Sequence, residues 1–291
     1  MQEGLIIENI SNTYIVSSEN SIFRCTAKGK LKKEKVIPVV GDRVNIEIVG
    51  NNTGVIDNIL TRSNYIKRPK LANITQIIFV VSIKMPYIDL FILDKQIAFA
   101  EYLNIKCAIV INKIDLDKDK NFLEIENKYK NIGYKVITTS IKEKVGNQNL
   151  RKILQNNISA FAGKSGVGKS TLINSIFPNI AKEGQISKKT KQGKNTTTNV
   201  KLYEINSNSF IADTPGFSSF DLFEIPSKDL HEYFIEFNNY ISDCSYIGCT
   251  HIKEEHCGIK KALECGYISQ SRYENYCKIY NELKNWEVNK W

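Results

Sequence analysis

Val44, Ile46 and Ile48 alternate with Asn45 and Glu47 just after Gly41-Asp42, the period of two that marks a half-buried strand. GLIIENI, TYIVSS, SIFRCTA and GVIDNIL are further short apolar runs separated by polar pairs such as Asn51-Asn52. About five strands in roughly 65 residues suit a small Greek-key barrel of the OB type. From residue 75 the pattern changes. TQIIFVVSI, KCAIVIN, YKVITTS, ISAFAG and SFIAD are β-branched apolar runs, the composition of parallel strands buried on both faces. Helical segments are expected between them at around 89–103, 121–131 and 169–177, giving an α/β sheet covered on both faces. The predicted class is therefore multidomain α/β, divided at composition shifts into a barrel over 1–70, an α/β domain over 71–222 and a third part over 223–291.

Composition changes this picture little. Apolar residues make up 42% and charged residues 24% of the 291, an ordinary globular balance that argues against long disorder. No apolar run approaches the roughly 18 residues of a membrane helix, and MQEGLIIENI lacks the basic start of a signal peptide. A cytoplasmic protein that does not enter membranes is expected, and a monomer, since no oligomerisation segment stands out. Charge changes the picture more. The net +9 divides as +4, +8 and −3 over the three parts, so an affinity for polyanions would reside in the first two. Lys28, Lys30, Lys32, Lys33 and Lys35 fall between two barrel strands, and Lys182, Lys188, Lys189, Lys191, Lys194 and Lys201 crowd the stretch before SFIAD. The first group reads as an exposed loop, either merely solvated or tracking a phosphate backbone.

Residues 163–170, GKSGVGKS, are a full GxxxxGK[ST] phosphate loop between a strand and a helix. Gly163, Gly166 and Gly168 let the backbone wrap so that N–H groups, including those of Lys164, Ser165, Val167 and Thr171, point at phosphates. Lys169 would reach the β- and γ-phosphates and Ser170 would ligate Mg²⁺, with the helix N-terminus adding positive potential. The base is addressed by Asn112-Lys113-Ile114-Asp115, placed after the strand KCAIVI. Guanine offers two adjacent donors that the Asp115 carboxylate can accept, whereas adenine would leave it unpaired. Asn112 can brace the loop and the Lys113 stem can cover the ring. Ser140, in TTS at a strand end, stands where a guanine-supporting loop belongs. Asp213 and Gly216 of DTPG suit an Mg²⁺-held water and the γ-phosphate, and one of Thr196, Thr197 and Thr198, beside Asn195 in GKNTTT, suits Mg²⁺ when GTP is bound. Phe217 follows DTPG. A phenyl ring cannot orient a water, so no catalytic residue is assigned and a partner is expected to complete a slow site.

Five of the seven cysteines lie between residues 244 and 277. Cys244-x₄-Cys249-x-His251-x₅-Cys257 offers three thiolates and an imidazole, a closed set suited to one structural Zn²⁺, with His256 as the rival to His251. The segment reads as polar, so metal would supply its folding energy. Cys265 and Cys277 read as buried small residues on following helices.

Taken together, GDRV at 41–44, RPKLANITQ at 68–76, NKID, GKSGVGKS, GKNTTT, DTPGF and the Cys₃His spacing resemble the circularly permuted ribosome-assembly GTPases of the RsgA (YjeQ) family. NKID and TTS precede the phosphate loop here, which is the permuted order. The resemblance implies an N-terminal OB-fold barrel, a circularly permuted P-loop GTPase domain and a C-terminal zinc-binding helical domain. It further implies binding of the small ribosomal subunit and its rRNA in the GTP state. GTP hydrolysis stimulated by that subunit, late in its maturation, would release the factor. The family usually carries His where this chain has Asn195, and Asn cannot take up a proton at neutral pH. The residues alone also fit an RNA-binding structural module with a static nucleotide site, or a P-loop ATPase or kinase.

Overall fold

Alternation in Thr13–Ser18 (β2) sends Tyr14, Val16 and Ser18 inward, as the period of two requires. The computed structural model describes residues 1–33, 36–178, 200–213 and 224–290, without the side chains of 32 and 33. Five strands form the barrel: Gln2–Ile10 (β1), β2, Ser21–Ala27 (β3), Arg43–Gly50 (β4) and Thr53–Ile59 (β5). β1 pairs with β2, β2 with β3, β3 with β5 in parallel and β5 with β4, and β4 returns to β1. The edges are thus closed, as the strand count suggested.

The lysine-rich connection differs from the loop expected. Gly29–Lys33 is a short helix (α1), and two lysines at its start are paired with carboxylates. Lys28 reaches Asp57 at 2.7 Å and Glu47 at 3.2 Å, and Lys30 reaches Asp57 at 3.4 Å. Two of the five cations are therefore bound to the barrel's own carboxylates.

The barrel ends in a hairpin, Tyr65–Lys67 (β6) with Lys70–Ala72 (β7), missed in the sequence because each strand is three residues long. Buried Asp42 takes Arg62 in a two-point pair at 2.7 and 2.8 Å. Asn73 donates to Gly41 O at 2.9 Å and accepts from Ser63 N at 2.8 Å. The GDRV and RPKLAN segments are one hydrogen-bonded junction.

Beyond it the main sheet runs Lys135–Thr139 (β10), Lys106–Asn112 (β9), Gln76–Ser82 (β8), Ile158–Ala162 (β11), Ser209–Asp213 (β13) and Lys201–Asn206 (β12). The first five are parallel. β12, not recognised in the sequence, is antiparallel and also meets β1 at Glu8↔Lys201. β8 shows why the run reads as continuously apolar: Ile77 and Phe79 face one core, Ile78 and Val80 the other. Leu90–Tyr102 (α2) and Phe122–Ile132 (α3) cover the first face; Asn147–Leu154 (α4) and Lys169–Ile176 (α5) cover the second. α4 was not foreseen. The chain builds outward through β9 and β10, then crosses back to β11 on the other side of β8. That reversal opens a crevice at the carboxyl ends of β8 and β11.

The C-terminal part is helical: 3₁₀ turns at Ser227–Tyr233, Ile235–Asn239 and Ile241–Asp243, then Gly258–Glu264 (α6) and Gln270–Asn289 (α7). Leu230, Phe234, Phe237, Ile259, Tyr276 and Ile279 are fully buried there. Among the described residues no helix is long and apolar enough to cross a membrane.

Candidate functional site

The crevice holds the phosphate loop. β11 ends at Ala162 and α5 begins at Lys169, so 163–168 make a tight turn. Gly163 has φ +145°, and a Cβ there would lie 2.2 Å from Val80 O; Gly168 has φ +96°, and its Cβ would lie 2.5 Å from Asn112 Nδ2. Neither position accepts a side chain. Val167 is buried and anchors the turn, while Ser165, Gly166, Ser170 and Thr171 are exposed. Lys169 Nζ donates to Gly163 O at 2.5 Å and Lys164 O at 3.0 Å. Burial lowers its pKa, so an anion beside this ammonium would find it incompletely hydrated.

The base-reading loop is bonded to this turn. Asn112, at the end of β9 and 1% exposed, donates to Val167 O at 2.9 Å and accepts from Thr139 Oγ1 at 2.9 Å. Lys113 stands in the left-handed region at φ +61° and sends Nζ to Gly166 O at 2.6 Å and to Met85 O. Ile114 and Asp115 follow in the 3₁₀ turn Ile114–Leu116, both half-buried. Ser140 donates to Asp115 Oδ1 at 2.6 Å while accepting from Glu143 N at 3.1 Å, which orients the carboxylate. Asp213 closes β13, one residue past the Ala160↔Ala212 pairing with the P-loop strand. Asn112–Asp115, Ser140, residues 163–171 and Asp213 thus sit at one end of the sheet. Asn195, Thr196, Thr197, Thr198, Gly216 and Phe217 lie outside the described residues, as do all the lysines of that stretch except Lys201, which reaches Glu8 at 3.3 Å.

The cysteine cluster is a separate site. The ligand atoms of Cys244, Cys249, His251 and Cys257 all lie within 4.8 Å of one another. His251 Nδ1 is 3.3 Å from Cys257 Sγ and 3.6 Å from Cys244 Sγ. A tetrahedral metal with bonds of about 2.3 Å separates its sulfurs by about 3.8 Å, so the set can hold a metal ion with little adjustment. His251, not His256, completes it: His251 is fully buried, whereas His256 is exposed. Burial pushes the His251 imidazole down to about 4 and the Cys249 thiol up to about 12, and raises Cys257. The imidazole is therefore already in its ligating form, while Cys249 and Cys257 hold their protons until a cation displaces them. Around the cluster, Tyr273 donates to His251 O and Tyr276 to Thr250 O, each at 2.7 Å. Glu254 accepts from Thr250 N at 2.8 Å and Ile252 N at 2.9 Å; against the cost of burial, these bonds hold its carboxyl down to about 2. Cys265 is exposed, contrary to expectation, because it ends α6 on the solvent side; Cys277 is half-buried.

Two groups of functional interest are not evident in the sequence. Asp89, the N-cap of α2, pairs with Lys164 at 2.8 Å. Five residues on, buried Asp94 takes Arg272 at 2.7 Å, Tyr129 OH at 2.6 Å and Asn275 at 2.6 Å, and Arg272 reaches Glu236 at 2.7 and 3.0 Å. An aspartate directly before an apolar helix is a readable cap signal; the partner of Asp89, 75 residues away, and that of Asp94, 178 residues away, are not.

Fold, loop order and bonded base-reading loop define a circularly permuted P-loop GTPase fold carrying an N-terminal OB-like barrel. The family model for the RsgA GTPase matches residues 59–223, and that for the RsgA N-terminal domain matches 3–56. The chain belongs to the RsgA GTPase family. It is 38% identical to a protein of Alkaliphilus metalliredigens over 98% of each chain and 42% identical to one of Clostridium acetobutylicum over 97% of each. Both are named small ribosomal subunit biogenesis GTPase RsgA. The crystal structure of YjeQ from Thermotoga maritima superposes with a TM-score of 0.86 at 35% identity, covering 97% of this chain and 98% of that one. YloQ, described as a circularly permuted GTPase, gives 0.83 at 32% identity, covering 98% and 96%.

Proposed function

We propose that this GTPase acts in biogenesis of the small ribosomal subunit, binding the subunit and its rRNA with GTP and leaving after subunit-stimulated hydrolysis. Membership of the RsgA GTPase family supports GTP hydrolysis, and the names of its relatives supply the ribosomal role. The observation that carries the nucleotide reading is the bonding of the base-reading loop to the phosphate loop through Asn112–Val167 and Lys113–Gly166. Base and phosphates are thereby addressed by one rigid unit, which favours a guanine nucleotide over a bare phosphate.

In this reading Asn112, Lys113, Ile114, Asp115 and Ser140 hold guanine, and residues 163–171 hold the phosphates. Ser170 is the protein ligand of Mg²⁺, an ion that screens phosphate charge when bound. Asn195, Thr196, Thr197, Thr198, Asp213 and Gly216 are the switch candidates, and the ribosomal partner supplies the group that orients water. Cys244, Cys249, His251 and Cys257 hold one structural Zn²⁺, the ion whose preferred ligands and geometry this set matches. The working parts are 1–70, 71–222 and 223–291, in a monomer acting in the cytoplasm.

Asp115 provides the first test. Unlabelled GTP and GDP should each displace a fluorescent GDP from the wild-type protein, and ATP should not. Asp115→Ala should weaken GDP binding about 100-fold, because the two guanine donors lose a charged acceptor. Displacement by ATP as effective as by GTP would favour the ATPase or kinase reading.

A further inference from the structure

Residues 83–89, between β8 and α2, lie against the phosphate loop and are tied to it twice. Lys113 Nζ bridges Met85 O and Gly166 O. Asp89 Oδ2 pairs with Lys164 Nζ at 2.8 Å while Oδ1 caps α2 by accepting from Ile92 N at 3.2 Å. The carbonyl of Lys164 in turn accepts from Lys169 Nζ. Three lysines, 113, 164 and 169, therefore converge on one short turn. Against the cost of burial, Lys164 and the backbone N–H of Ile92 hold the Asp89 carboxyl below its usual value.

We infer that Asp89 is a positioning residue for nucleotide binding, its carboxylate fixing Lys164 and with it the first turn of the phosphate loop. The inference rests on the reading of residues 163–171 as the phosphate loop for GTP. An ordered turn aims several N–H donors at one point, and ordering it only when ligand arrives would cost conformational entropy. Asp89 reduces that cost beforehand, from a helix cap that the sheet already holds in place. The ion pair sits on the P-loop backbone and not on the transferred phosphoryl group, so it acts alike on GDP and GTP. A residue of this kind changes binding without changing the chemical step.

The test uses the full-length protein. Asp89→Asn keeps the helix cap, since Asn caps as well as Asp, and removes the negative charge that faces Lys164. Titration with fluorescent GDP and GTP should show both dissociation constants raised about two- to fivefold, the upper part of the range for a partly exposed pair. The turnover rate of Asp89→Asn at saturating GTP should stay within about twofold of wild type. Lys164→Met should weaken binding similarly, the double variant should be no worse than either single one, and Asp89→Glu should restore affinity. Unchanged dissociation constants in Asp89→Asn, or losses that add in the double variant, would overturn the inference. A wild-type protein that binds neither nucleotide would overturn the nucleotide reading itself, and this inference with it.

Discussion

Stripping the proposed zinc from the Cys244–Cys249–His251–Cys257 cluster with a strong chelator at neutral pH should unfold the segment around it and leave the parallel sheet intact. Structural zinc binds isolated small domains with an apparent free energy of about 10–16 kcal/mol. Part of that is replaced here by the buried rings of Phe234, Phe237 and Tyr276. The expected result is thus local. Amides of residues 241–258 should lose protection from hydrogen exchange, while those of β8, β9 and β11 keep it. Cys257→Ser should have the same effect without chelator. The pH dependence has a definite sign. Burial raises the metal-free thiols of Cys249 and Cys257, so binding expels their protons and metal affinity weakens as pH falls. Protection unchanged after complete metal removal, verified by metal content, would show that the aromatic core alone holds the segment.

The second large effect is expected at Arg272, which is 1% exposed and bound to two carboxylates from different parts of the chain. Its guanidinium also lies 4.4 Å from the centre of the Phe234 ring. Replacing it by Met conserves most of the volume but leaves Asp94 and Glu236 as buried charges without their cation. The cost of orphaning such a pair is about 3–5 kcal/mol. Urea denaturation of Arg272→Met should show a loss of that size. Combining it with Asp94→Asn and Glu236→Gln should recover much of it, because the charges that needed pairing are gone. A loss below about 1 kcal/mol in the single variant would mean that water reaches the carboxylates. Asp94 is on α2 and Arg272 on α7, so this network also helps to fasten the C-terminal part to the nucleotide-binding sheet, beside Lys95–Glu282 and Lys128–Ser271.

How far the sequence could be read follows from the range of the interactions involved. The barrel strands, the buried parallel strands and three of the sheet's helices are written in local periodicity, which each segment carries alone. The phosphate loop, NKID and the Cys₃His set are written in residue type and spacing. The permuted order changes connections but leaves the site assembled at the crevice between β8 and β11. What stayed illegible depends on distant partners. β12 lies between β13 and β1 and is recognised only by those neighbours. Lys28 reads as available to a polyanion, but Asp57 and Glu47, from two other strands, lie beside it in the fold. The aromatic core of the C-terminal part was masked by the polar residues between its rings. Asp89 reads only as a helix cap and Asp94 as an ordinary helix residue, because what gives them a further role is where Lys164 and Arg272 arrive in the fold.

GTP turnover by the purified protein, measured alone and with added small or large ribosomal subunits, tests the proposed function most directly. The expected result is slow hydrolysis alone, acceleration by small subunits only, and no acceleration of the Lys169→Ala variant. Equal rates with and without small subunits, or rapid turnover by the protein alone, would contradict a site completed by its ribosomal partner.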